Sequence, residues 1–391
     1  MGFDVYICYT QSHLQRDGLI ASAITDAKSA DLMPTGTAVA SGQVSHQVIM
    51  SFATLLFGIQ HRQPDIARHG YVMHGVALRQ LNRVLADATR HTRAEVILAV
   101  AALAVSELLV PTGPGNYWAH VMGLERLVDL QDPATFWSTR SPGFCKGVRF
   151  MILAAALKLR RPSILARTDW KKAMRTNASY QELEEQDLYD VLADSSVLLA
   201  ERHAMSPSTE KADGTETKKE QRDDMERRAR RLLQHVQQWR QRWDSNSIKN
   251  MNPVPDTSIS EASSLITVDT IPNLDTAMML MLYNLALMYV LQSLVPPLSL
   301  EETTSKSYHF DQRTRIAARE ACRCIQYYLS IGRRRLDASA PPIIHWTVSM
   351  ASERLQRDDS VEGAWMRDLQ TSQGDRSLPV YGHIKMAQLV G

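Results

Sequence analysis

The sequence predicts an all-α protein: one large multi-helix domain of stacked helical hairpins. Across residues 73–108, apolar side chains recur every three to four positions in two successive sets, the spacing of two amphipathic helices. The Pro- and Gly-rich run at residues 111–115 then ends the second helix, because no helix continues through such a run. Strand patterns are almost absent. The exception is residues 5–9, a short β-branched and aromatic run typical of a strand.

Helix-start signals support the individual elements. Thr92 with Glu95 and Ser179 with Glu182 have capping-box spacing, and Ser141 stands directly before a proline. A Ser or Thr at such a position accepts a hydrogen bond from a backbone N–H that the first helical turn leaves unpaired. The predicted helices cover residues 47–60, 73–88, 96–108, 118–130, 143–159, 180–203, 224–243, 274–294, 311–331, 345–355 and 361–369.

The domain organisation follows from the segments that lack apolar residues. We expect residues 1–45 to be a mobile N-terminal lead-in, because residues 27–45 are rich in Ala, Ser, Thr and Gly. Residues 46–391 then form the helical domain. Within it, loops are expected at about 204–226 and 245–273, where charged, Ser, Thr, Asn and Pro residues dominate.

Composition excludes several classes of protein. The net charge of +2 over 391 residues creates no overall field that would attract nucleic acid or an anionic membrane. Four cysteines are too few and too scattered for a disulfide framework, which suggests a reducing compartment. No apolar run predicts a membrane span, and the N-terminus has no secretory signal pattern. We therefore expect an intracellular protein without a membrane partner.

Motifs of the common enzyme classes are also missing. The chain contains no Walker loop, GxGxxG, GxSxG or HExxH sequence, so no cofactor and no metal site are predicted. Cys322 and Cys324 stand two residues apart, and on a helix this spacing points them to different faces. Neither redox nor zinc chemistry follows from that pair.

Several short motifs occur in a defined order. They are His74-Gly75, Leu81-Asn82, an apolar helix ending in Glu107, Trp118-x-His120 and Gly123-Leu124, followed by residues 150–170, 232–243 and 282–294. In this order and spacing, the chain resembles the C-terminal regulatory region of fungal zinc-cluster transcription factors, the fungal-specific transcription factor domain. The resemblance covers about residues 50–390. It implies a helical regulatory domain and the function of a transcription regulator.

The resemblance does not extend to the zinc cluster. That cluster needs six cysteines in a compact N-terminal block to hold two zinc ions, whereas this chain has only Cys8 before Cys145. The cluster cannot form from these residues, so no DNA-binding residues are predicted and direct DNA binding is not expected. A gene model that has lost an N-terminal exon is an open alternative.

His74, Glu107 and His120 are the candidates for chemistry, since all three belong to the motifs of the resemblance. The simpler interpretation is structural: the histidines bond helix ends or pack in the core, and the glutamate pairs with an arginine. If the three side chains converge with Trp118 in an apolar pocket, Glu107 or a histidine would serve as general acid or base.

A basic run is the other candidate. Arg227, Arg228, Arg230 and Arg231 form a candidate nuclear-localisation patch. The alternative is the solvated face of an amphipathic helix, since acidic residues stand next to the run at positions 223, 224 and 226.

Three functions remain open, the third being a ligand-sensing module that binds a metabolite and performs no chemistry. The leading hypothesis is a nuclear regulator of transcription, for a fungal secondary-metabolite gene cluster, that acts through other transcription factors, co-regulators or a small-molecule effector. The alternative is a family member recruited as a biosynthetic cyclase or isomerase for a hydrophobic small molecule, located in the cytoplasm. The regulator hypothesis does not require an enzyme activity.

Overall fold

The computed structural model describes residues 2–13, 42–87, 93–113, 115–176, 178–205, 215–250, 271–294, 304–331 and 341–372. Within these ranges every regular element is helical, which confirms the all-α prediction. The helices form two compact units, and we describe each by itself. The first comprises the described residues of Met1–Ala155 and Arg335–His345, and the second those of Ala156–Arg334 and Trp346–Ser372.

The first unit is built around helices α2 and α4. Its elements are α1 (Gly2–His13), α2 (Gly42–Gln60), α3 (Pro64–Leu85), α4 (Ala94–Leu109), α5 (Asn116–Asp129), α6 (Pro133–Thr139) and most of α7 (Pro142–Lys158). Helix α2 packs against α1, α3 and α4, and α4 packs against α5. Helix α4 is apolar nearly all round and almost wholly buried, as expected of a central helix.

The strand considered for residues 5–9 does not form, because these residues lie inside α1, so part of the expected lead-in is helical. Their tertiary contacts explain the difference. Tyr6 and Tyr9 are three positions apart and therefore share a helix face. Both rings lie against Phe57 of α2, with centroid distances of 4.9 and 5.1 Å. Packing against α2 thus overrides the strand propensity of the run. Residues 14–41 of the expected lead-in lie outside the described residues, and residues 42–45 belong to α2.

Helices α2 and α3 approach each other closely through two glycines. A Cβ atom placed on Gly58 would lie 2.4 Å from the backbone N of Ala67, and one on Gly70 would lie 2.8 Å from Cα of Leu55. Both distances are far shorter than van der Waals contact. The absence of a side chain at these positions therefore sets the spacing of the hairpin.

The second unit surrounds one very apolar helix. After a 3₁₀ turn at Ile164–Ala166, its elements are α8 (Thr168–Arg175), α9 (Tyr180–Ala204), α10 (Thr215–Asn250), α11 (Leu274–Leu294), α12 (Thr304–Ser330), most of α13 (Pro342–Leu355) and α14 (Val361–Ser372). Helix α11 packs against α9, α10 and α12, and its predicted bounds are confirmed to the residue.

Length and composition alone would let α11 cross a membrane. It has 21 residues and a mean hydropathy of 1.5, but 72% of its most apolar window is buried inside the protein. The core helix of a folded domain passes the same test of length and composition. Burial by α9, α10 and α12 therefore accounts for its apolar sequence.

The predicted start signals have mixed outcomes. The capping box of α9 is confirmed: the Ser179 hydroxyl accepts from the backbone N–H of Glu182, whose carboxylate accepts from the backbone N–H of Ser179. Helix α7 begins at Pro142, as the preceding Ser141 predicts. Thr92 lies outside the described residues, and Arg93 occupies the N-cap position of α4.

Helix α10 is longer at both ends than the sequence predicts. Residues 215–226 and 245–250 are helical, so the predicted loops are wrong at these positions, while residues 206–214 and 251–270 lie outside the described residues. Residues 215–226 are rich in Glu, Lys, Gln and Arg, which favour helix when exposed. Arg230 pairs with Glu226 one turn earlier, at 2.6 Å. The polar composition therefore indicates a solvated helix end.

Candidate functional site

Three side chains proposed from the sequence lie close together in the first unit. His74 comes from α3, Glu107 from the last turn of α4 and His120 from α5. The distance from Nε2 of His74 to Oε1 of Glu107 is 4.0 Å, and the pKa of His120 responds to the charges of both. His74 and Glu107 are only 5% and 2% exposed, and His120 is half-buried. We call these three residues the His–Glu cluster.

The pattern of α3 explains why His74 points inward. The buried positions of this helix are Gly70, His74, Ala77 and Leu81, one every three to four residues. Gly70 lets α3 lie directly on α2, and His74 follows about one helical turn later on the same face. A polar ring is thus placed inside by the apolar stripe around it.

Glu107 also holds the loop that follows α4. Its carboxylate accepts a 2.8 Å hydrogen bond from the backbone N–H of Thr112 and a second from the Thr112 hydroxyl. Asn116, in the first turn of α5, donates to the Thr112 hydroxyl oxygen at 2.9 Å. A carboxylate near a helix C-terminus is unfavourable for the helix dipole, so these bonds offset a local cost. They fix the direction in which α5 leaves α4.

Thr112 is the member of this site that sequence reasoning missed. A signal was present, because a Thr inside a Pro- and Gly-rich loop stands five residues after a buried Glu. The predicted pairing of Glu107 with a neighbouring arginine does not occur among the described contacts, where the loop threonine takes that place.

Burial sets the protonation state of both histidines. It lowers the pKa of His74 and the pKa of His120 below the ordinary value for histidine. The Glu107 carboxylate opposes this in both cases, and His74 lowers the pKa of His120 further. Both imidazoles are therefore neutral at pH 7, each with one N–H donor and one nitrogen acceptor.

Two polar groups on α3 and α5 are buried without a hydrogen-bond partner among the described residues. They are the His74 ring, at both nitrogens, and Nε1 of Trp118. Buried polar atoms are nearly always satisfied in folded proteins, so each such atom requires an explanation. Trp118 stands only two positions before His120, about 200° around the α5 axis. The predicted grouping of Trp118 with the two histidines is therefore not supported by its place on the helix.

The chemistry open to the His–Glu cluster is limited by its geometry. A distance of 4.0 Å is too long for a hydrogen bond, so His74 and Glu107 do not form a proton relay with each other. Among the described residues, no three His, Cys, Asp or Glu side chains are placed to hold a metal ion. A neutral imidazole and a carboxylate can still bind a polar group or exchange a proton with one.

Three of the four arginines of the basic run are engaged in ion pairs. Arg227 pairs with Asp224 at 3.3 Å, and Arg228 pairs with Asp224 at 2.9 Å and with Glu201 of α9. Arg230 pairs with Glu226. The patch is thus interleaved with acidic side chains, as the solvated-helix interpretation expects. Its use as a localisation signal stays a prediction.

An open cleft lies between the end of α9 and the start of α10. It is lined mainly by charged side chains: Glu201, Glu220, Asp223, Asp224, Arg227 and Arg228. Because Arg228 bridges Glu201 and Asp224, the charges at the cleft largely satisfy one another. The cleft does not include any residue of the His–Glu cluster.

Comparison with family models gives a match over most of the chain. The family model described as the fungal specific transcription factor domain matches residues 37–338, well over half of the 391-residue chain. The matched range contains α2 to α12, including the His–Glu cluster. Neither the curated proteins nor the solved structures contain a match to this chain.

Proposed function

The chain belongs to the fungal specific transcription factor domain family, and from this premise we propose that it regulates transcription of a fungal secondary-metabolite gene cluster through contacts with other proteins. The family supports the role of a transcription regulator and a fungal origin. The target genes, the partners and the nuclear location are our proposal.

The observation that carries the proposal is the length of the family match. It runs from residue 37 to residue 338 and so covers most of each compact unit. Cys8 is the only cysteine before Cys145, so these residues offer no ligand set for a zinc cluster. We therefore propose that these residues act by contact, recruiting or blocking the partners of other regulators.

The test is a deletion strain of the fungal host, scored for transcripts and for metabolites in the same cultures. We expect coordinated change in the transcripts of neighbouring biosynthetic genes, restored by the wild-type chain. Unchanged transcripts together with one accumulating intermediate would contradict regulation and would indicate a biosynthetic enzyme.

We propose, as a second candidate function, that the His–Glu cluster binds a small-molecule effector. The supporting observation is the buried His74 ring, whose two nitrogens lack hydrogen-bond partners among the described residues, beside a buried carboxylate. Leaving polar atoms unpaired costs stability, and a polar ligand group would satisfy them. Neutral imidazoles favour an uncharged ligand with both a donor and an acceptor.

Native mass spectrometry of the chain purified from the fungal host tests this candidate. We expect a bound small molecule in the wild type, and its loss in His74→Leu. The control is Leu130→Ala directly after α5, since Leu130 is 59% exposed. Absence of any bound mass in the wild-type chain would refute the effector site.

The enzyme alternative is distinguished by turnover. Purified wild-type chain would be incubated with the small-molecule extract of the deletion strain. Consumption of one compound by the wild type but not by Glu107→Gln would support a cyclase or isomerase with Glu107 as acid or base. An unchanged extract is the outcome that the regulator predicts.

Nuclear location is tested with a fluorescent fusion of the full chain. Arg230→Ala/Arg231→Ala removes two charges of the basic run without disturbing the Arg228 bridge to α9. Lys219→Ala/Arg222→Ala removes two charges from the same helix outside the run and serves as the control. We expect nuclear fluorescence to fall only in the first variant. Equal nuclear signal in all proteins would exclude the run as the localisation signal.

A further inference from the structure

The outer face of α3 carries an unusual row of side chains. Tyr71, Val72 and Val76 are 45%, 61% and 37% exposed, and they are three of the eight large apolar residues exposed in the described part of the chain. Val72 and Val76 are one helical turn apart, and Tyr71 is next to Val72. The buried residues of α3, including His74, lie on the opposite side of the helix.

Local structure does not explain these residues. Val is a poorer helix former than Ala, because its branched Cβ loses rotamer freedom against the preceding turn. Two valines on the solvent face of one helix therefore lower its stability without adding core packing. An exposed apolar group that local structure does not require suggests a binding surface.

Three arginines lie in line with the valines. Positions 68, 72, 76, 79 and 83 fall within an arc of about 80° around the helix axis, so Arg68, Arg79 and Arg83 flank Val72 and Val76 on one face of the helix. Arg68 pairs weakly with exposed Asp65 at 3.4 Å. Arg79 and Arg83 make no ion pair within the described residues. We call Arg68, Tyr71, Val72, Val76, Arg79 and Arg83 the α3 stripe.

The charges of the stripe indicate what binds to it. A second copy of this chain docking through the same face would bring arginines against arginines, which costs free energy. A nucleic-acid surface would place cations along the whole phosphate path, whereas the middle of this stripe is apolar. A partner with carboxylates spaced around apolar side chains would pair with the arginines and cover the valines at the same time.

We propose that the α3 stripe docks an acidic amphipathic helix of a partner protein, with partner apolar side chains on Val72 and Val76 and partner carboxylates on Arg79 and Arg83. This inference rests on the proposed function, because contact with other regulators is the mechanism proposed there. The apolar area is small, so the contact is weak and exchangeable, as is typical of transient regulatory complexes. Helix-on-helix recognition of this kind uses residues one turn apart.

The test is fluorescence anisotropy with the full chain and two synthetic 18-residue helices as probes. Both probes have leucines at one-turn spacing, and they differ only in having Glu or Lys beside the leucines. We expect the Glu probe to bind at least tenfold more tightly than the Lys probe, and to weaken as salt is raised. Val72→Ala/Val76→Ala should weaken the Glu probe at least fivefold, while the helix itself becomes easier to form.

A variant with reversed charges tests the proposal more strictly in the same binding assay. Arg79→Glu/Arg83→Glu should invert the preference, so that the Lys probe binds more tightly than the Glu probe. The matched control is Val361→Ala, because Val361 is 81% exposed on a helix of the other unit, and it should leave both affinities unchanged.

Each remaining outcome overturns the proposal. Failure of the Glu probe to bind, or equal binding of the two probes, excludes an acidic amphipathic partner. A 20-base-pair duplex whose binding is lost in Arg79→Glu/Arg83→Glu would assign the stripe to nucleic acid. A dimer in sedimentation that the same variant dissociates would assign it to a second copy. These results are independent of the deletion strain, so the docking site can fail while regulation stands, and the reverse.

Discussion

Gly70 is the position where one added methyl group tests the packing beneath the His–Glu cluster. A Cβ there would lie 2.8 Å from both N and Cα of Leu55 and 2.9 Å from its Cβ. Backbone atoms of α2 cannot rotate away, so Gly70→Ala must push α3 off α2. On the same helix, a Cβ at Gly75 would meet nothing closer than Arg79 Nη1 at 3.7 Å.

The two substitutions should therefore change the free energy of unfolding in opposite directions. Gly75→Ala removes the conformational freedom of a helical glycine and should raise the free energy of unfolding by about 0.5–1 kcal/mol. Gly70→Ala gains the same term but overpacks the hairpin, at a cost near the upper end of about 1–3 kcal/mol. The net change expected for Gly70→Ala is a loss of about 2 kcal/mol.

Urea unfolding monitored by circular dichroism at 222 nm measures both variants against the wild type. The difference between Gly75→Ala and Gly70→Ala midpoints matters most, because the chemical change and the helix are identical. We expect the Gly70→Ala midpoint to be clearly lower. Equal midpoints, or a more stable Gly70→Ala, would refute the close packing of α2 on α3.

Three further predictions concern buried polar groups. Although burial opposes it, hydrogen bonds from Arg319 and Ser360 lower the pKa of Asp358 to about 2; Asp358→Asn should therefore cost about 2 kcal/mol at pH 7, and this difference should vanish as pH falls from about 4 to 2. Because burial lowers the pKa of His74, the wild type should lose stability as pH falls from 7 to 5, and His74→Leu should lose less. Trp239→Phe removes the 3.0 Å bond from the buried indole N–H to the Glu184 carbonyl and should cost about 1–3 kcal/mol.

Urea midpoints between pH 2 and pH 8 test the first two of these predictions. Both groups lower the stability of the wild type as pH falls, because the fold is more stable with an ionised Asp358 carboxylate and with a neutral His74 ring. A pH-independent effect of Asp358→Asn would contradict the ion pair with Arg319. Parallel pH profiles for the wild type and His74→Leu would contradict the buried neutral imidazole. For Trp239→Phe, Trp243→Phe is the control, because Trp243 stacks on Trp239 but is only half-buried.

Helix positions were predictable where apolar periodicity and punctuation agree. Helix α11 has an uninterrupted apolar sequence followed by Pro296 and Pro297, and both of its ends were predicted correctly. The start of α10 failed because exposed helices need no apolar residues, so composition could not separate helix from loop. The helix at residues 5–9 was not predicted, because the contacts of this segment with Phe57, which favour helix over strand, are not visible in the sequence.

The candidate site, like the helices, was predictable from the sequence only in part. His74 and Glu107 could be selected from the sequence, since each is a polar residue on an apolar helix face. The short distance between the two side chains could not be predicted from the sequence, because it depends on how α3 and α4 cross and on the α4–α5 loop held by Thr112. The α3 stripe could not be selected from the sequence, since Val72 and Val76 directly precede residues of the apolar pattern and only their exposure separates them from it.

The most direct test of regulation is a tethering assay in a fungal host. The full chain is fused to a heterologous DNA-binding module, and transcripts of a reporter carrying that module's site are counted. If the chain regulates transcription by contact, we predict a change in reporter transcripts relative to the module alone, and its loss in Arg79→Glu/Arg83→Glu but not in Val361→Ala. An unchanged reporter, with turnover of a small molecule by the same purified chain, would contradict the regulator and establish an enzyme.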